Sequence, residues 1–277
     1  MPRIALCQFT ASADPAANLE HVRTGVSTAR SEGASIVVFP EATMARFGTP
    51  LVPLAEPLDG PWAGEVAAAA EDAGVLVVAG MFTPADEGRV RNTLLVTGHG
   101  HHLGYHKIHL YDAFGFSESR VVAPGDALVT VDTGDLRLGL TTCYDVRFPA
   151  LFHALAENDA TAMVVPASWG AGDGKREQWD ALLRARALDA GCWVLGCDQA
   201  DPAATGVEVS SKAPTGIGYS AIVDPFGRPH AQAGAGAETL IADIDPERAH
   251  ASRRATGALA NRVDLDSLEV QTNVQRG

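Results

Sequence analysis

Amphipathic stretches with helical spacing alternate along this chain with short apolar runs that are typical of buried strands. A first helix is predicted after the capping pair Asp14-Pro15, and Gly33 ends it. Its apolar positions recur every three or four residues: Leu19, Val22, Val26 and Ala29. A strand follows at 36–41, a second helix at about 62–73 and another strand at 75–80. This alternation predicts an α/β fold in which helices cover at least one face of a sheet.

The second half of the chain repeats this order of elements. A helix is predicted from Phe148, a strand at 162–166, a helix at about 175–190 and a strand at 193–196. Residues 34–41 and 160–167 correspond in character, position by position. This correspondence indicates an internal pseudo-two-fold, with two α/β halves whose sheets could pack face to face. A chance match of two buried strands is the alternative. Two further strands are predicted in the remainder, at 217–223 and 239–244.

Composition and charge restrict the kinds of protein this chain can be. It has 277 residues, 46% of them hydrophobic, and no linker divides it, so we expect one domain spanning 1–277. The net charge of −13, with dispersed acids, argues against a nucleic-acid or membrane partner. Four cysteines are too few for a disulfide framework. The start lacks the features of a signal peptide and no apolar run could span a bilayer, so we expect a cytoplasmic protein.

Three polar residues stand where strands are predicted to end. Cys143 follows an apolar strand and precedes a turn, Glu41 closes the strand at 36–41, and Lys107 follows the strand-like run at 102–106. A carboxylate such as Glu41 at the end of an apolar strand is either solvated at the edge of the sheet or desolvated. Desolvation favours its protonated state and makes it a usable base near neutral pH. A helix N-terminus just after Cys143 favours the nucleophilic thiolate. Together these groups are the parts of a cysteine hydrolase that does not use histidine as its base.

A metal site and a Cys–His catalytic pair are the two alternatives to this site. The histidines around Lys107 could bind a metal, but His101 and His102 are adjacent and an extended strand points them to opposite faces. We therefore expect no metal. A cysteine peptidase or glutaminase with a Cys–His pair would need a histidine near the thiol. The candidate is His153, for which packing against the sheet is the expected role.

In this order and with these flanking residues, the chain resembles the nitrilase superfamily of carbon–nitrogen hydrolases. The central matches are Val38-Phe39-Pro40-Glu41, the run 105–112 around Lys107, and the run 139–149 around Cys143. Further matches include the runs 116–119 and 166–169. The resemblance covers nearly the whole chain. It implies a four-layer α-β-β-α sandwich, no cofactor, and subunits that pair into a homodimer or a higher homo-oligomer.

The resemblance also implies catalytic roles for four residues. Glu41 is expected to be the general base and Cys143 the nucleophile that forms a thioester with an amide carbon. Lys107 and the backbone N–H of Tyr144 are expected to stabilise the oxyanion. Glu118 matches the second glutamate of the family, near the leaving amine. Ser168 and Trp169 are expected to line the substrate pocket.

The residues after the nucleophile favour one branch of the superfamily. Tyr144-Asp145 differs from the Trp-Glu usual in nitrilases, and the run 143–149 is similar to omega-amidases and deaminated glutathione amidases. We therefore expect a small amide substrate with a carboxylate, bound by the guanidinium of Arg147. A structural ion pair between Arg147 and Asp145 is the alternative. An N-carbamoyl amidase, an aliphatic amidase and a small-molecule-binding pseudoenzyme are the other functions considered.

Overall fold

The computed structural model describes residues 1–209, 213–265 and 268–269. Its strands form two six-stranded mixed sheets. The first sheet has the spatial order β12 (Glu238–Asp243), β1 (Arg3–Gln8), β2 (Ile36–Val38), β3 (Leu76–Pro84), β4 (Val90–Gly98) and β5 (His101–His106). The second has the order β11 (Pro229–Gln232), β10 (Ala221–Val223), β9 (Trp193–Asp198), β8 (Ala162–Ala167), β7 (Arg137–Leu140) and β6 (Thr130–Asp132).

Helices cover the outer faces of the two sheets. They are α1 (Pro15–Ser31), α2 (Pro61–Ala73), α3 (Pro149–Glu157), α4 (Lys175–Ala190), α5 (Pro202–Thr205) and α6 (Glu247–Thr256). The carboxylate of Asp14 caps α1 by accepting a hydrogen bond from the N–H of Ala16, as the sequence predicted. Helices α1 and α2 pack on the first sheet, and α3 and α4 pack on the second. Each of these four helices buries apolar side chains in the core that it shares with its sheet.

Side chains that alternate along each buried strand belong to two different cores. In β1, Ile4 and Leu6 lie in the core between the sheets, whereas Ala5 and Cys7 pack against the helical layer. Successive side chains of a strand point to opposite faces, and here both faces are covered. Every position is therefore buried, and the strand appears in the sequence as a continuous apolar run. The predicted four-layer α-β-β-α sandwich is confirmed.

The pairing pattern of the two sheets confirms the internal pseudo-two-fold. In the first sheet β1, β2 and β3 are parallel, and β4 and β5 continue antiparallel. In the second, β7, β8 and β9 are parallel, and β10 and β11 continue antiparallel. An antiparallel strand borders each set on its other side, β12 on β1 and β6 on β7. Thus β2 corresponds to β8, the two strands whose sequences match.

Several strand boundaries differ from the predictions. Strand β2 ends at Val38 rather than residue 41, so Glu41 lies in the turn that follows the strand. Strand β3 extends to Pro84 rather than residue 80, because it continues its pairing with β4. Strand β10 begins at Ala221 rather than 217. The preceding segment instead closes over the ends of the second sheet, where the N–H of Ile217 donates to the carboxylate of Asp198 at 2.9 Å. Among the helices in the described part of the chain, none has the length and apolar character that crossing a bilayer requires.

Candidate active site

Four segments that leave strand ends bring the polar candidates into one pocket. Glu41 lies three residues after β2, Lys107 directly follows β5, Cys143 lies three residues after β7, and Ser168 directly follows β8. These residues and Glu118 line the same pocket, which encloses about 360 Å³ including its mouth. This size is ordinary for a small-molecule site. The pocket sits where strand ends of the two sheets meet, so each half of the sandwich supplies part of it.

The backbone holds Cys143 in a strained turn. Its φ of 46° lies in the left-handed region that non-glycine residues rarely adopt. It begins the 3₁₀-helix Cys143–Arg147, and the fully buried carboxylate of Asp145 fixes this turn. That carboxylate accepts hydrogen bonds from the N–H of Thr142 at 2.9 Å and the hydroxyl of Tyr105 at 2.7 Å. The turn therefore presents the thiol at the floor of the pocket.

Burial and a neighbouring charge favour the protonated form of the Cys143 thiol. Burial raises its pKa well above the ordinary value, and the charge of Glu41 raises it further, while Lys107 acts in the opposite direction. The expected effect of a helix N-terminus, which favours the thiolate, is therefore opposed by burial and by the charge of Glu41. Desolvation and a neighbouring carboxylate outweigh one short helical turn. A nucleophile in this state needs a base beside it.

The carboxylate of Glu41, the candidate base, lies within the pocket and is only 1% exposed. Its Oε1 accepts hydrogen bonds from Lys107 Nζ at 2.8 Å and from Asn92 Nδ2 at 2.7 Å. Its Oε2 accepts one from the backbone N–H of Ser168 at 2.9 Å. Burial raises the pKa of Glu41, Lys107 lowers it, and the charge of Glu118 raises it again. The net rise makes this carboxylate a stronger base than a solvated one, as the sequence pattern indicated.

Lys107 lies between two carboxylates in a dry environment. Its Nζ donates to Glu41 and, at 2.9 Å, to Oε2 of Glu118. Burial alone would lower its pKa, but the two glutamates raise it well above the ordinary value. Lys107 is therefore a permanent cation in the pocket. The Oε2 of Glu118 also accepts from the N–H of Tyr111 at 2.7 Å, which fixes its orientation.

Asn92 was missed by the sequence reasoning although it contacts three of these groups. Its Nδ2 donates to Glu41 at 2.7 Å and to Oε1 of Glu118 at 3.0 Å. Its backbone carbonyl accepts from the N–H of Lys107 at 2.9 Å. An amide within the buried strand β4 was the available signal, because Asn is depleted in strands and a buried amide needs hydrogen-bond partners from elsewhere in the fold. Asn92 holds the two carboxylates in a fixed relation to the ammonium.

Comparison with known proteins identifies the family. The profile of the carbon-nitrogen hydrolase family matches residues 3–254. The chain belongs to this family. It is 51% identical to the Mycobacterium tuberculosis (strain ATCC 25618 / H37Rv) protein Hydrolase Rv0480c over 273 residues, covering 96% of this chain and 98% of the relative. The predicted resemblance and the expectation of a carbon–nitrogen hydrolase are confirmed.

Relatives with named activities belong to the branch that the motif around Cys143 indicated. Deaminated glutathione amidase from Escherichia coli O157:H7 is 33% identical, with 94% of this chain and 96% of the relative covered. Omega-amidase NIT2 from Mus musculus is 31% identical, with 96% and 97% covered. A solved amidase mutant from Nesterenkonia sp. AN1 is 25% identical, with a TM-score of 0.75 and coverage of 92% and 94%. That structure shows covalent addition of the acetamide moiety of fluoroacetamide at its active site cysteine.

The predicted substrate-binding residues all line the pocket of this hydrolase, although one of them has another contact as well. Besides its backbone contact with Glu41, Ser168 donates its hydroxyl to the carbonyl of Pro214 at 2.9 Å. It therefore supports the base from its place in the wall. The ring of Trp169 lies 5.1 Å from the guanidinium carbon of Arg147, and the ring of Tyr144 lies 5.9 Å from it.

Arg147 does not make the alternative contact that the sequence allowed. The described residues include no ion pair between Arg147 and Asp145, whose carboxylate is occupied by Thr142, Tyr105 and His109. Arg147 Nη2 donates to Oε1 of Gln178 at 2.7 Å. Its Nε is buried and has no hydrogen-bond partner within the described part of the chain. The guanidinium of Arg147 therefore lines the pocket without a carboxylate partner among the described residues.

A buried carboxylate behind the pocket was a second omission. Asp198 ends β9 as Glu41 ends its own apolar run, so the same signal was present in the sequence. It accepts from the N–H groups of Trp169 at 2.8 Å and Ile217 at 2.9 Å, and burial raises its pKa to about 7. Asp198 thereby fixes the segment that carries Ser168 and Trp169.

The other sites considered from sequence are not assembled. His153 lies in α3 and is absent from the residues lining the pocket. The described residues contain no group of three or more His, Cys, Asp or Glu side chains that could hold a metal ion. Histidines near Lys107 have other contacts: His106 pairs with Thr93 at 2.9 Å and His109 with Asp145 at 2.7 Å. The acid–ammonium–thiol pocket is the assembled site.

Proposed function

We propose that this enzyme is an amidase that hydrolyses a small linear amide bearing a carboxylate, through a thioester on Cys143. The observation that carries the proposal is that Cys143, Glu41 and Lys107 line one pocket together with the guanidinium of Arg147, which has no ion-pair partner among the described residues. The first three groups supply the chemistry of amide cleavage, and the fourth supplies recognition. The named activities of the relatives from Escherichia coli and Mus musculus support the same substrate class.

Acylation begins with proton transfer from the Cys143 thiol to the carboxylate of Glu41, as sulfur attacks the amide carbon. The carbonyl oxygen becomes negative and is stabilised by the ammonium of Lys107 and the N–H of Tyr144. The N–H groups in the first turn of a helix have no partner within that helix, so the one on Tyr144 can be directed at substrate. Glu41 then returns the proton to the leaving nitrogen, the C–N bond breaks, and ammonia departs from the thioester.

Deacylation uses the same groups in reverse. Water attacks the thioester carbon while Glu41 accepts its proton, and the same oxyanion contacts act again. The C–S bond breaks, the sulfur regains the proton from Glu41, and the carboxylic acid leaves. Glu118 keeps Lys107 in place from the opposite side, at 2.9 Å, throughout both steps.

A mass-spectrometric experiment tests the proposed chemistry. The intact enzyme is mixed with a panel of omega-amides of keto acids, deaminated glutathione, short aliphatic amides and N-carbamoyl acids, and quenched in acid. We expect an acyl adduct on Cys143 and turnover with carboxylate-bearing amides. Turnover confined to neutral aliphatic amides or to N-carbamoyl acids would assign the enzyme to one of those alternatives. Absence of both adduct and turnover across the panel would overturn the proposal.

Arg147→Ala tests carboxylate recognition separately from the chemistry. A charged hydrogen bond lost in a partly buried pocket costs about 1.5–3 kcal/mol, so KM for carboxylate-bearing amides should rise roughly 10- to 100-fold. A neutral amide of the same length serves as the internal control and should change much less. Arg147→Lys keeps the charge but loses the planar fork, and should fall between the two. Equal losses on both substrates would refute the role of Arg147.

A further inference from the structure

Lysine is scarce in this chain, and the active-site pocket holds a second one. The sequence contains three lysines, and two of them, Lys107 and Lys175, line the same pocket. Lys107 is neutralised by two glutamates, whereas Lys175 has no carboxylate within ion-pair distance among the described residues. The protein has a net charge of −13, so a cation without an acidic partner at the active site makes the local charge there more positive than that of the protein as a whole. It lowers the barrier for an anionic substrate to approach.

Lys175 is held by aromatic rings instead of by an acid. It is the first residue of α4 and is only 8% exposed. Its Nζ lies 3.4 Å from the ring centroid of Phe114 and 5.8 Å from that of Tyr111. Burial, and then the positive charge of Arg147, lowers its pKa. An ammonium on ring faces keeps its donors available for a ligand, since the rings accept no ordinary hydrogen bond.

A second depression opens outward from the catalytic pocket at Lys175. The two share Tyr111, Phe116, Gly170, Lys175 and Pro214 as a common wall. The outer depression continues along Phe114 and the turn at 171–173, and encloses about 920 Å³ including its mouth. Cys143 and Arg147 line the inner pocket only. Lys175 is therefore the cation at the passage between the two spaces, and Arg147 is the cation beside the nucleophile.

We propose that the outer depression is a second substrate subsite, in which Lys175 binds a second carboxylate on the distal part of the amide. This inference rests on the proposed function and narrows it to linear amides with two carboxylates, one bound by Arg147 and one by Lys175. The flat rings of Tyr111, Phe114 and Phe116 would cover the chain that joins the two acid groups. Asp173, also in the outer wall, would disfavour a carboxylate placed beyond Lys175 and so limits the length of substrate.

A matched pair of substrates tests this subsite. Both carry the same reactive amide and the same near carboxylate, and they differ only in a distal carboxylate or its methyl ester. Wild-type enzyme should favour the diacid by about 10-fold in kcat/KM, the size of one charged contact. Lys175→Gln should abolish this preference while leaving the ester nearly unchanged, and Lys175→Arg should restore most of it. Arg176→Gln removes an equal charge one residue away, from the pair with Asp180, and should retain the preference.

The outcomes separate this inference from the proposed function. Hydrolysis of both substrates without discrimination by wild type, or equal losses on both in Lys175→Gln, would overturn the second subsite and leave the amidase intact. Equal losses would mean that Lys175 only supports Phe114. Failure of wild type to hydrolyse any amide would instead contradict the proposed function. Thermal melting of each variant shows whether the fold is retained.

Discussion

The ends of β2 and β8 occupy equivalent places in the two halves of the sandwich but carry different groups. When Ile36 in β2 is matched with Ala162 in β8, the position of Glu41 in the first half corresponds to that of Ala167 in the second. The first half supplies the base, and the second supplies the N–H of Ser168 that holds it at 2.9 Å. The duplicated scaffold therefore does not duplicate the chemistry. One copy contributes the reactive group, and the other contributes the hydrogen bond that positions it.

A similar difference between the two halves is found at the ends of β1 and β7, the strands next to β2 and β8. By the same registers, the position of Cys143 after β7 corresponds to Phe9 after β1. Phe9 is buried in the core and stacks on His21 at 4.9 Å, whereas Cys143 adopts a left-handed turn and faces the pocket. The difference shows that the active site is built by local departures from the repeated pattern, and that it needs both halves.

Replacing the nucleophile should have the largest effect. Cys143→Ala removes the only atom that can form the thioester, so we expect kcat to fall by roughly 10⁴-fold or more without unfolding. Cys7→Ala is the matched control: this buried thiol lies in β1, and burial raises its pKa to about 12. It should keep its activity and lose about 1 kcal/mol of stability. Amidase assays and thermal melts check both, and retained turnover in Cys143→Ala would end the mechanism.

Asn92→Ala should produce the next largest effect, because it removes a hydrogen bond that holds the carboxylate of Glu41, the group that the first half supplies. The hydrogen bond from Asn92 lowers the pKa of Glu41, so its loss should raise that pKa further. Because Glu41 must be ionised to act as base, the acid limb of the pH profile of kcat/KM should move to higher pH. At neutral pH we expect a loss of roughly 10- to 100-fold, the size of a hydrogen bond to a charged group.

Thr93→Val controls for disturbance of the strand itself. Thr93 is the next residue of β4, and its hydroxyl pairs with Thr83 and with His106, each at 2.9 Å, rather than with the glutamates. This variant should leave the acid limb where it is in wild type. An unchanged limb in Asn92→Ala as well would show that Asn92 does not set the ionisation of the base.

A smaller effect is expected from Gly80→Ala, which tests the backbone beneath Glu41. A Cβ at this position would lie 2.5 Å from the N of Ala42 and 2.7 Å from the O of Pro40. The loop carrying the base would have to shift, so we expect a loss of about 2 kcal/mol in stability and reduced kcat. In Gly64→Ala, where the Cβ meets nothing within 4 Å inside α2, stability should instead rise by about 0.5–1 kcal/mol. Chemical denaturation measures both, and equal changes would contradict the steric argument.

Much of the fold was predictable from sequence because its signals are local. The helix predicted at 175–190 coincides with α4, since its boundaries are set by neighbouring residues and Gly191 closes it in the left-handed conformation. The match between 34–41 and 160–167 revealed the repeat, because two covered strands need the same apolar pattern. Strand ends were also informative: Glu41 and Cys143 are polar or reactive groups where a buried run stops.

The rest of the site depends on contacts between distant parts of the chain. Asn92 meets Glu41 across 51 positions, and nothing beside Asn92 in the sequence names its partner. The ammonium of Lys107 pairs with two glutamates, whereas that of Lys175 lies on aromatic rings. The sequence cannot distinguish these two environments, because the surrounding residues come from distant parts of the chain. The rise in the pKa of the Cys143 thiol could not be predicted for a similar reason: the helix start is a local signal, but burial beside Glu41 is a product of the whole fold.

The pairing of β12 with β1 has a consequence for synthesis on the ribosome. In the first sheet, the outer neighbour of β1 is β12, the last strand in the described part of the chain, with Arg3 registered on Asp243 and Gln8 on Glu238. A nascent chain must therefore leave the backbone edge of β1 unpaired until β12 has also been translated. Unpaired edges invite association with other chains, so this sheet depends on late closure, or on chaperones, to avoid mispairing.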